Sequence, residues 1–292
     1  MTTELVVLPS VDVRSDAAAD TLDREGWATE QPDVAVAFLG AGTMGTALLA
    51  GSLRGGLAPD TVWVAARRSE RAAELAEDFG VHAITNNAEA VSHCEVVVLA
   101  VPPNAVSEVL GEVRDSLQPG AVVVSIADQV SLADLHEHLP FHTAAVRVMP
   151  SLVCEVGAGI SLVTFDDRCT SAQCAAVSEL LARSSQVIET READQGALAV
   201  LSSGGPGYYA YATAAMIDTL TAQGIPANTA QEVAVAAMSG TATWLAKPGG
   251  TLEDLQRKVC TPGGAGAKRI AELDRLGVAT GITAALTKNV YE

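Results

Sequence analysis

A glycine-rich turn between an apolar run and a helical segment constrains the fold of this chain more than any other feature. The apolar run starts at Val34 and ends at Gly40-Ala41-Gly42-Thr43-Met44-Gly45, and the residues from Thr46 to Leu53 follow a helical pattern. This order is typical of a dinucleotide-binding turn, in which N–H groups at a helix N-terminus face a pyrophosphate. We expect the first glycine to permit a tight turn, the second to admit the phosphates and the third to let the helix pack on the strand. The alternative is a glycine-rich turn that binds nothing.

The segments after this turn alternate between strand and helix patterns. Apolar, β-branched runs separated by helical segments predict an α/β protein with a Rossmann-type doubly wound parallel sheet. We expect Ser69 to cap the second helix and Gly80 to end it. The six predicted strands are residues 34–39, 61–66, 81–84, 95–101, 121–126 and 144–149. The predicted helices are residues 46–53, the residues that follow Ser69 through Phe79, and residues 132–139, with one more from Pro102-Pro103-Asn104 to about residue 117.

The pattern changes beyond Pro150. Two further candidate strands, 159–163 and 186–189, surround a predicted helix at 171–183, and from Glu192 onward the periodic segments are all helical. We therefore predict a nucleotide-binding domain over residues 34–190 and an all-α domain over residues 191–292. The acidic residues 1–33 predict a flexible extension, or alternatively a segment that covers a subunit surface. The predicted C-terminal helices are residues 206–223, 229–245, 252–258, 265–276 and 280–290.

The composition narrows the range of partners. Ala-rich helices in a small domain would leave apolar surface exposed, so we expect a homodimer or a higher homo-oligomer. The formal net charge of −17 disfavours nucleic acid and anionic membranes as partners. The sequence contains neither a long apolar run typical of a membrane span nor a signal-peptide pattern. Five cysteines without a CxxC pair indicate neither a disulfide framework nor a metal site, so we expect a cytoplasmic protein with reduced thiols.

The end of the second predicted strand indicates which nicotinamide cofactor the turn would bind. An NAD-specific turn places an Asp or Glu here to accept from the ribose 2′-OH, whereas this chain has Ala65-Ala66-Arg67-Arg68-Ser69. Two guanidinium groups and a hydroxyl suit a 2′-phosphate, which favours NADP(H). The alternative is that Arg68 and Arg71 pair with Glu70 or Glu74 on the surface of the helix.

Seven segments between residues 34 and 289 carry a family resemblance. The two most specific are Leu201-Ser202-Ser203-Gly204-Gly205-Pro206-Gly207-Tyr208 and Val259-Cys260-Thr261-Pro262-Gly263-Gly264. The others are Phe38 to Gly45, Asn87-Ala88-Glu89-Ala90-Val91, Leu99-Ala100-Val101-Pro102-Pro103-Asn104, Val124-Ser125-Ile126-Ala127 and Arg147-Val148-Met149-Pro150. In their order and spacing these segments resemble the pyrroline-5-carboxylate reductase family.

The resemblance implies an NADPH-dependent reduction of the C=N bond of L-1-pyrroline-5-carboxylate to L-proline. It also implies an all-α dimerisation domain at the C-terminus and an active site between that shared domain and the nucleotide domain. The candidate cofactor-binding residues are Gly40, Gly42, Thr43, Met44, Gly45, Arg67, Arg68, Ser69, Asn87, Ala100, Val101 and Pro102. The candidate substrate-binding residues are Ser202, Gly204, Thr261, Gly263, Gly264 and Gly266, and the candidate catalytic residues are Thr261 and Lys268.

A second helix N-terminus is the candidate site for the substrate carboxylate. The segment Thr261-Pro262-Gly263-Gly264 opens a predicted helix, with the proline early and the glycines leaving N–H groups exposed. Such a concave group of amides would hold a carboxylate without a cationic side chain. The alternative is an ordinary helix-opening turn.

The departures from the family pattern cluster where the substrate is expected. Ser151-Leu152-Val153 replaces the usual Asn-Thr-Pro, and Gly266 replaces a threonine that hydrogen-bonds the substrate nitrogen in the family. In one explanation water supplies the proton, because a pyrroline imine is easily protonated. In the other, the substrate is a larger cyclic imine or a carbonyl compound that uses space left by Gly204 and Gly266.

Three side chains are candidate replacements for the lost donor. Lys268 lies two residues beyond Gly266, although a solvated lysine on a helix face is the simpler interpretation. Tyr208 and Tyr209 are further candidates, although tyrosines near a helix start often only pack.

Three hypotheses about function follow. The first is a pyrroline-5-carboxylate reductase, and the second is a paralogue that reduces a different cyclic imine or carbonyl compound in specialised metabolism. The third is a catalytically weak NADP-binding protein with a regulatory role. No nucleophile and base pattern stands out, which disfavours a hydrolase.

Overall fold

A computed structural model of the chain describes residues 34–288. These residues form two compact units, and the division between the units falls inside a helix, between Ala212 and Thr213. The expected extension over residues 1–33 lies outside the described residues. Within residues 34–288, no helix is both long enough and apolar enough to cross a lipid bilayer.

The first unit is built on an eight-stranded sheet in the order β3-β2-β1-β4-β5-β6-β7-β8. Neighbouring strands are parallel, except that β7 runs antiparallel to β6. The doubly wound parallel sheet is therefore confirmed, and the two further candidate strands extend one edge of it. The strands are β1 (Val36–Leu39), β2 (Val62–Ala65), β3 (His82–Ile84), β4 (Val96–Leu99), β5 (Val122–Ser125), β6 (Ala144–Pro150), β7 (Gly159–Phe165) and β8 (Ser185–Glu189).

Helices cover both faces of this sheet. Side chains alternate between the two faces of a strand, so Val36 and Phe38 enter one hydrophobic cluster while Ala37 and Leu39 enter the other. Near-continuous apolar strands are expected when both faces are buried in this way. The helices are α1 (Thr43–Arg54), α2 (Ser69–Phe79), α3 (Asn87–Val91), α4 (Val106–Val113), α5 (Leu132–His138), α6 (Ser171–Ala182) and α7 (Glu192–Ser202). The long helix α8 (Gly205–Ala222) begins in this unit, which contains its residues up to Ala212.

Two local features differ from the sequence predictions. The predicted cap at Ser69 is wrong, because α2 begins at Ser69 itself and the extended residue before it is Arg68, with no side-chain cap. Gly80 ends α2 as expected, with a left-handed φ of +70°. The short helix α3 was not predicted, since five residues are too few to show a helical period.

The second unit contains the remainder of α8 and four more helices. They are α9 (Ala227–Ala246), α10 (Leu252–Val259), α11 (Ala265–Arg275) and α12 (Val278–Thr287), which confirms an all-α C-terminal region. The predicted end of the last helix, at residue 290, lies outside the described residues. Among residues 213–288, Ala230 is the one apolar residue that is buried.

Candidate functional site

The turn between β1 and α1 lies where three strands end. Gly40 has a φ of +100°, and a Cβ at this position would lie 2.5 Å from the carbonyl oxygen of Ala100. The Gly40 N–H donates to the Ala65 carbonyl at 2.9 Å, and the Ala100 N–H donates to the Leu39 carbonyl at 2.8 Å. Both the backbone angle and the close approach therefore require glycine at the carboxyl ends of β1, β2 and β4.

The other two glycines of the turn have different surroundings. A Cβ at Gly45 would lie 2.8 Å from the Ala100 Cβ, so this glycine lets α1 lie close to the end of β4. A Cβ at Gly42 would meet no atom of the described chain within 4 Å, so this position is open. Gly42 is also the residue that precedes α1, with no side-chain cap.

The first turn of α1 fits an anion. The first bond within the helix runs from the Thr46 N–H to the Gly42 carbonyl at 2.9 Å. The N–H groups of Thr43, Met44 and Gly45 therefore precede the helical hydrogen-bond ladder, and the first turn contains no acidic residue. Free amides, the positive end of the helix dipole and the open position at Gly42 are the features that a pyrophosphate needs.

The end of β2 presents cations rather than a carboxylate. Arg67, Arg68 and Ser69 are all exposed. Within residues 34–288, neither Arg67 nor Arg68 forms an ion pair, so the alternative pairing of Arg68 with Glu70 does not occur there. The two guanidinium groups fit a phosphate on the adenosine ribose.

Arg71 is engaged differently from these two arginines. Its Nη1 atom lies 3.0 Å from Glu74 Oε2, as the alternative interpretation anticipated, and its Nη2 donates to Thr46 Oγ1 at 3.3 Å. The Thr46 hydroxyl in turn donates to the Ala41 carbonyl at 3.2 Å. Arg71 thus ties α2 to the glycine-rich turn, a link that sequence spacing did not reveal.

The remaining candidate cofactor residues follow β3 and β4. Asn87 is the first residue of α3, and its amide nitrogen donates to Glu112 Oε2 at 2.6 Å, while Asn86 caps the helix. Val101 approaches the turn, because its Cγ1 lies 2.9 Å from the Cβ position of Gly40. Pro102 is exposed and precedes a short 3₁₀ helix.

The corner between α7 and α8 contains the first-unit candidates for substrate binding. Ser203 Oγ donates to the Pro150 carbonyl at 3.3 Å, which fixes the corner at the end of β6. Ser202 is buried, and its hydroxyl has no hydrogen-bond partner within the described chain. The Tyr208 hydroxyl contacts the place that a Cβ of Gly204 would occupy, so a side chain of this unit already fills that space.

The second unit contains the other candidates, around the start of α11. Gly263 has a φ of +75°, Gly264 precedes α11 without a side-chain cap, and Thr261 Oγ1 lies 2.8 Å from the Gly264 Cβ position. A Cβ at Gly266 would lie 3.2 Å from Cys260 Sγ. The Tyr208 hydroxyl therefore fills the place beside Gly204, whereas Cys260 only narrows the place beside Gly266, and the alternative of a larger substrate stays a prediction.

Lys268 lies on a different face of α11 from a groove beside α10. The groove has a volume of 390 Å³, and Gln256, Cys260, Ala267, Ile270 and Ala271 are among its lining residues, whereas Lys268 is not. Lys268 is exposed. Within residues 34–288, no group of three His, Cys, Asp or Glu side chains is arranged to hold a metal ion.

Two parts of the chain match known family models. Residues 35–129 match a family model described as NADP oxidoreductase, coenzyme F420-dependent, and residues 192–291 match one described as pyrroline-5-carboxylate reductase dimerisation. The pyrroline-5-carboxylate reductase of Corynebacterium melassecola is 33% identical over 83% of this chain and 91% of its own length. The enzyme of the same name from Mycobacterium leprae is 30% identical over 86% of this chain and 92% of its own length.

A solved structure is similar in fold over almost the same extent. The pyrroline-5-carboxylate reductase of Coxiella burnetii superposes with a TM-score of 0.80 and is 25% identical. The match covers 88% of this chain and 96% of that one.

Proposed function

The chain belongs to the pyrroline-5-carboxylate reductase family, and we propose that it uses NADPH to reduce L-1-pyrroline-5-carboxylate to L-proline. The observation that carries this proposal is the 33% identity to a reductase of that name over 83% of the chain. The open turn at Gly42 supports the cofactor, as do the two arginines after β2, which form no ion pair within the described residues. The five free thiols support a reducing, cytoplasmic location.

The first unit supplies the binding groups for the dinucleotide. The amides of Thr43, Met44 and Gly45 would hold the pyrophosphate, and Arg67 and Arg68 would pair with the 2′-phosphate. When bound, the cofactor supplies the hydride that adds to the imine carbon. Local positive potential at these two places offsets the repulsion between an anionic cofactor and a protein of net charge −17.

The second unit supplies the binding groups for the substrate carboxylate. The start of α11 offers amides that no side chain caps, with the Thr261 hydroxyl beside them. Such a site binds a carboxylate through backbone dipoles alone, which suits a chain with few cations. Lys268 is proposed as a surface residue, because it is exposed and lies outside the adjoining groove.

We propose that the helical unit forms a homodimer and that such dimers can associate into higher homo-oligomers. The match of residues 192–291 to a dimerisation model supports this assignment. The exposed apolar side chains of the unit support it as well, because a stable domain needs to cover them.

The first experiment is an assay of NADPH consumption by purified full-length protein with L-1-pyrroline-5-carboxylate. We expect turnover with proline as the product and a marked preference for NADPH over NADH. Binding of NADPH without turnover would overturn the proline assignment and favour either a different imine or a regulatory protein. Of the two places that a larger substrate would use, the one beside Gly204 is filled by the Tyr208 hydroxyl, which favours the smaller substrate.

The double variant Arg67→Ala/Arg68→Ala tests the cofactor assignment. We expect kcat/KM for NADPH to fall about 100-fold, because two charge-assisted contacts to the 2′-phosphate are lost, while the value for NADH stays within about twofold. The matched control is Arg191→Ala/Arg275→Ala, which removes two exposed cations that pair with Asp194 and Glu272. Equal losses with NADPH and NADH would contradict a 2′-phosphate contact.

A further inference from the structure

The corner between α7 and α8 lies beside the second half of the nucleotide-binding sheet. In a doubly wound sheet, β1 and β2 belong to one mononucleotide half, and β4, β5 and β6 belong to the other. Ligands bind outside the carboxyl ends of these strands. The bond from Ser203 Oγ to the Pro150 carbonyl joins the corner to the carboxyl end of β6. The corner is therefore on the side of the sheet where the nicotinamide half of a dinucleotide belongs.

The Tyr208 hydroxyl is held at this corner by its own helix. Side chains in the first turn of a helix point back toward its N-terminus, and Tyr208 follows this rule by lying over Gly204. Tyr208 is 45% exposed as a residue. Within residues 34–288, the hydroxyl has no hydrogen-bond partner, so its proton is available to a ligand.

The position of the Tyr208 hydroxyl depends on a glycine at residue 204. A Cβ at residue 204 would collide with the Tyr208 hydroxyl and would lie 2.6 Å from the Val200 carbonyl oxygen. Any other residue at 204 would therefore displace the hydroxyl from the corner. Neighbouring Gly207 has no such requirement, because a Cβ there would meet nothing within 4 Å.

We propose that Tyr208 is the catalytic proton donor for imine reduction, an inference that rests on the proposed function. The hydride and its electron pair pass from NADPH to the imine carbon, so NADPH becomes NADP⁺ and the C=N bond becomes a C–N bond. The Tyr208 O–H bond breaks as the N–H bond forms, and the phenolate then takes a proton from water. The positive end of the α8 dipole stabilises that phenolate. With Tyr208 as the donor, the chain does not need a donor at position 266, where Gly266 has no side chain.

The variant Tyr208→Phe tests the proposal through its pH profile. We expect kcat to fall about 100-fold at roughly pH 8.5, where the imine is neutral and needs a donor. As the pH falls, solvent protonates the imine before it binds, so the difference from the wild type narrows. A structural role for Tyr208 would lower kcat by the same factor at every pH. Affinity for NADPH, measured by fluorescence titration, stays unchanged.

Two controls separate the donor from its neighbours. Tyr211→Phe removes a nearby phenol whose residue is 83% exposed, and it leaves kcat and its pH profile unchanged. If Tyr208→Phe fails to fold, Gly204→Ala provides the second test. Its methyl group displaces the hydroxyl, so it reproduces the pH-dependent loss, whereas Gly207→Ala does not.

The outcomes distinguish this proposal from the function on which it rests. Absence of wild-type turnover with L-1-pyrroline-5-carboxylate overturns both. Wild-type turnover together with an unchanged Tyr208→Phe variant, or with a loss that is independent of pH, overturns the donor alone. Wild-type turnover with a loss that disappears at low pH supports both.

Discussion

The two units of this chain bury their apolar residues to very different degrees. In the first unit, the strands are covered on both faces, and Phe38, Leu48 and Leu99 are completely or almost completely inaccessible. In the second unit, Ala230 alone among residues 213–288 is buried and apolar, while Met216 is 62% and Val259 68% exposed. A sheet with helices on both faces closes its own core, whereas these helices leave their apolar sides uncovered. The second unit therefore needs a further surface before it is a stable domain.

The same contrast applies to the candidate binding groups. The nucleotide turn is held within the first unit by hydrogen bonds from the ends of three strands. The start of α11, by comparison, stands on a helix without a buried residue. Under the proposed function, the cofactor site would form with the sheet, whereas the carboxylate site would depend on the proposed dimer.

The largest expected effect comes from a charge on the uncovered helical surface. Met216→Glu places a carboxylate on α8 within the proposed interface, where burial of an unpaired charge costs several kcal/mol. We expect the dimer to dissociate at least about 100-fold more readily, with loss of activity. Analytical ultracentrifugation measures the change. Met216→Leu, which keeps an apolar side chain, is the control and leaves the dimer intact.

A dimer that persists in the Met216→Glu variant would contradict the inference that the exposed apolar surface of α8 lies in the dimer interface. It would mean that the exposed surface of α8 faces solvent in the assembly. The helical unit would then owe its stability to other faces.

The next effect separates two glycines of one turn. Gly40→Ala forces a Cβ into a left-handed backbone and against Ala100, so we expect the first unit to lose about 3 kcal/mol of stability. Gly42→Ala adds a methyl group in open space, so stability stays unchanged while the affinity for NADPH falls at least about tenfold. Thermal unfolding and NADPH titration of both variants measure these two quantities. A stable Gly40→Ala variant would contradict the close approach of the strands.

At neutral pH the smallest effect concerns the buried thiols of the first unit, because their contribution to stability changes only in alkaline solution. Burial raises the pKa of Cys94 to about 12 and that of Cys154 to about 11. A thiol whose pKa is raised by folding stabilises the protein below its unfolded pKa of about 8.5 and loses that contribution as the pH rises toward the folded pKa. We expect stability to fall above about pH 9, with a slope of up to about 1.4 kcal/mol per pH unit for each thiol.

Cysteine variants measure that slope. Cys94→Ala reduces the decline of the unfolding free energy between about pH 9 and pH 11, because one buried thiol no longer titrates. Cys260→Ala in the second unit is the control, since Cys260 is only half-buried. The same slope in Cys94→Ala and the wild type would show that other groups cause the decline.

Much of the first unit could be predicted from the sequence because its signals are local. Each of the eight strands lies within two residues of its predicted limits, since short β-branched runs end at glycine, proline or polar residues. The antiparallel direction of β7 was not predicted, because a strand pattern is the same in both directions. The predicted cap at Ser69 was wrong because the extended backbone before α2 ends at Arg68, one residue earlier than the sequence suggested.

Some features of the candidate site could be predicted from the sequence, and others could not. Residue types and spacing were enough to predict the glycine turn and the arginines after β2. The link from Arg71 to Thr46 and the placement of the Tyr208 hydroxyl over Gly204 depend on side-chain positions, which spacing does not determine. The departures at Gly204 and Gly266 suggested open space, yet the Tyr208 hydroxyl fills the place beside Gly204, and a Cβ at Gly266 would lie 3.2 Å from Cys260 Sγ.

The sequence by itself determined the order of strands and helices, the three-glycine turn and the family of this protein, because these follow from local patterns of apolar residues and glycines. The tertiary structure decided which side chains fill the space that a missing Cβ leaves, and which apolar surface stays uncovered. The physical reason is that packing depends on contacts between residues distant in sequence, and only the folded chain brings those residues within van der Waals distance.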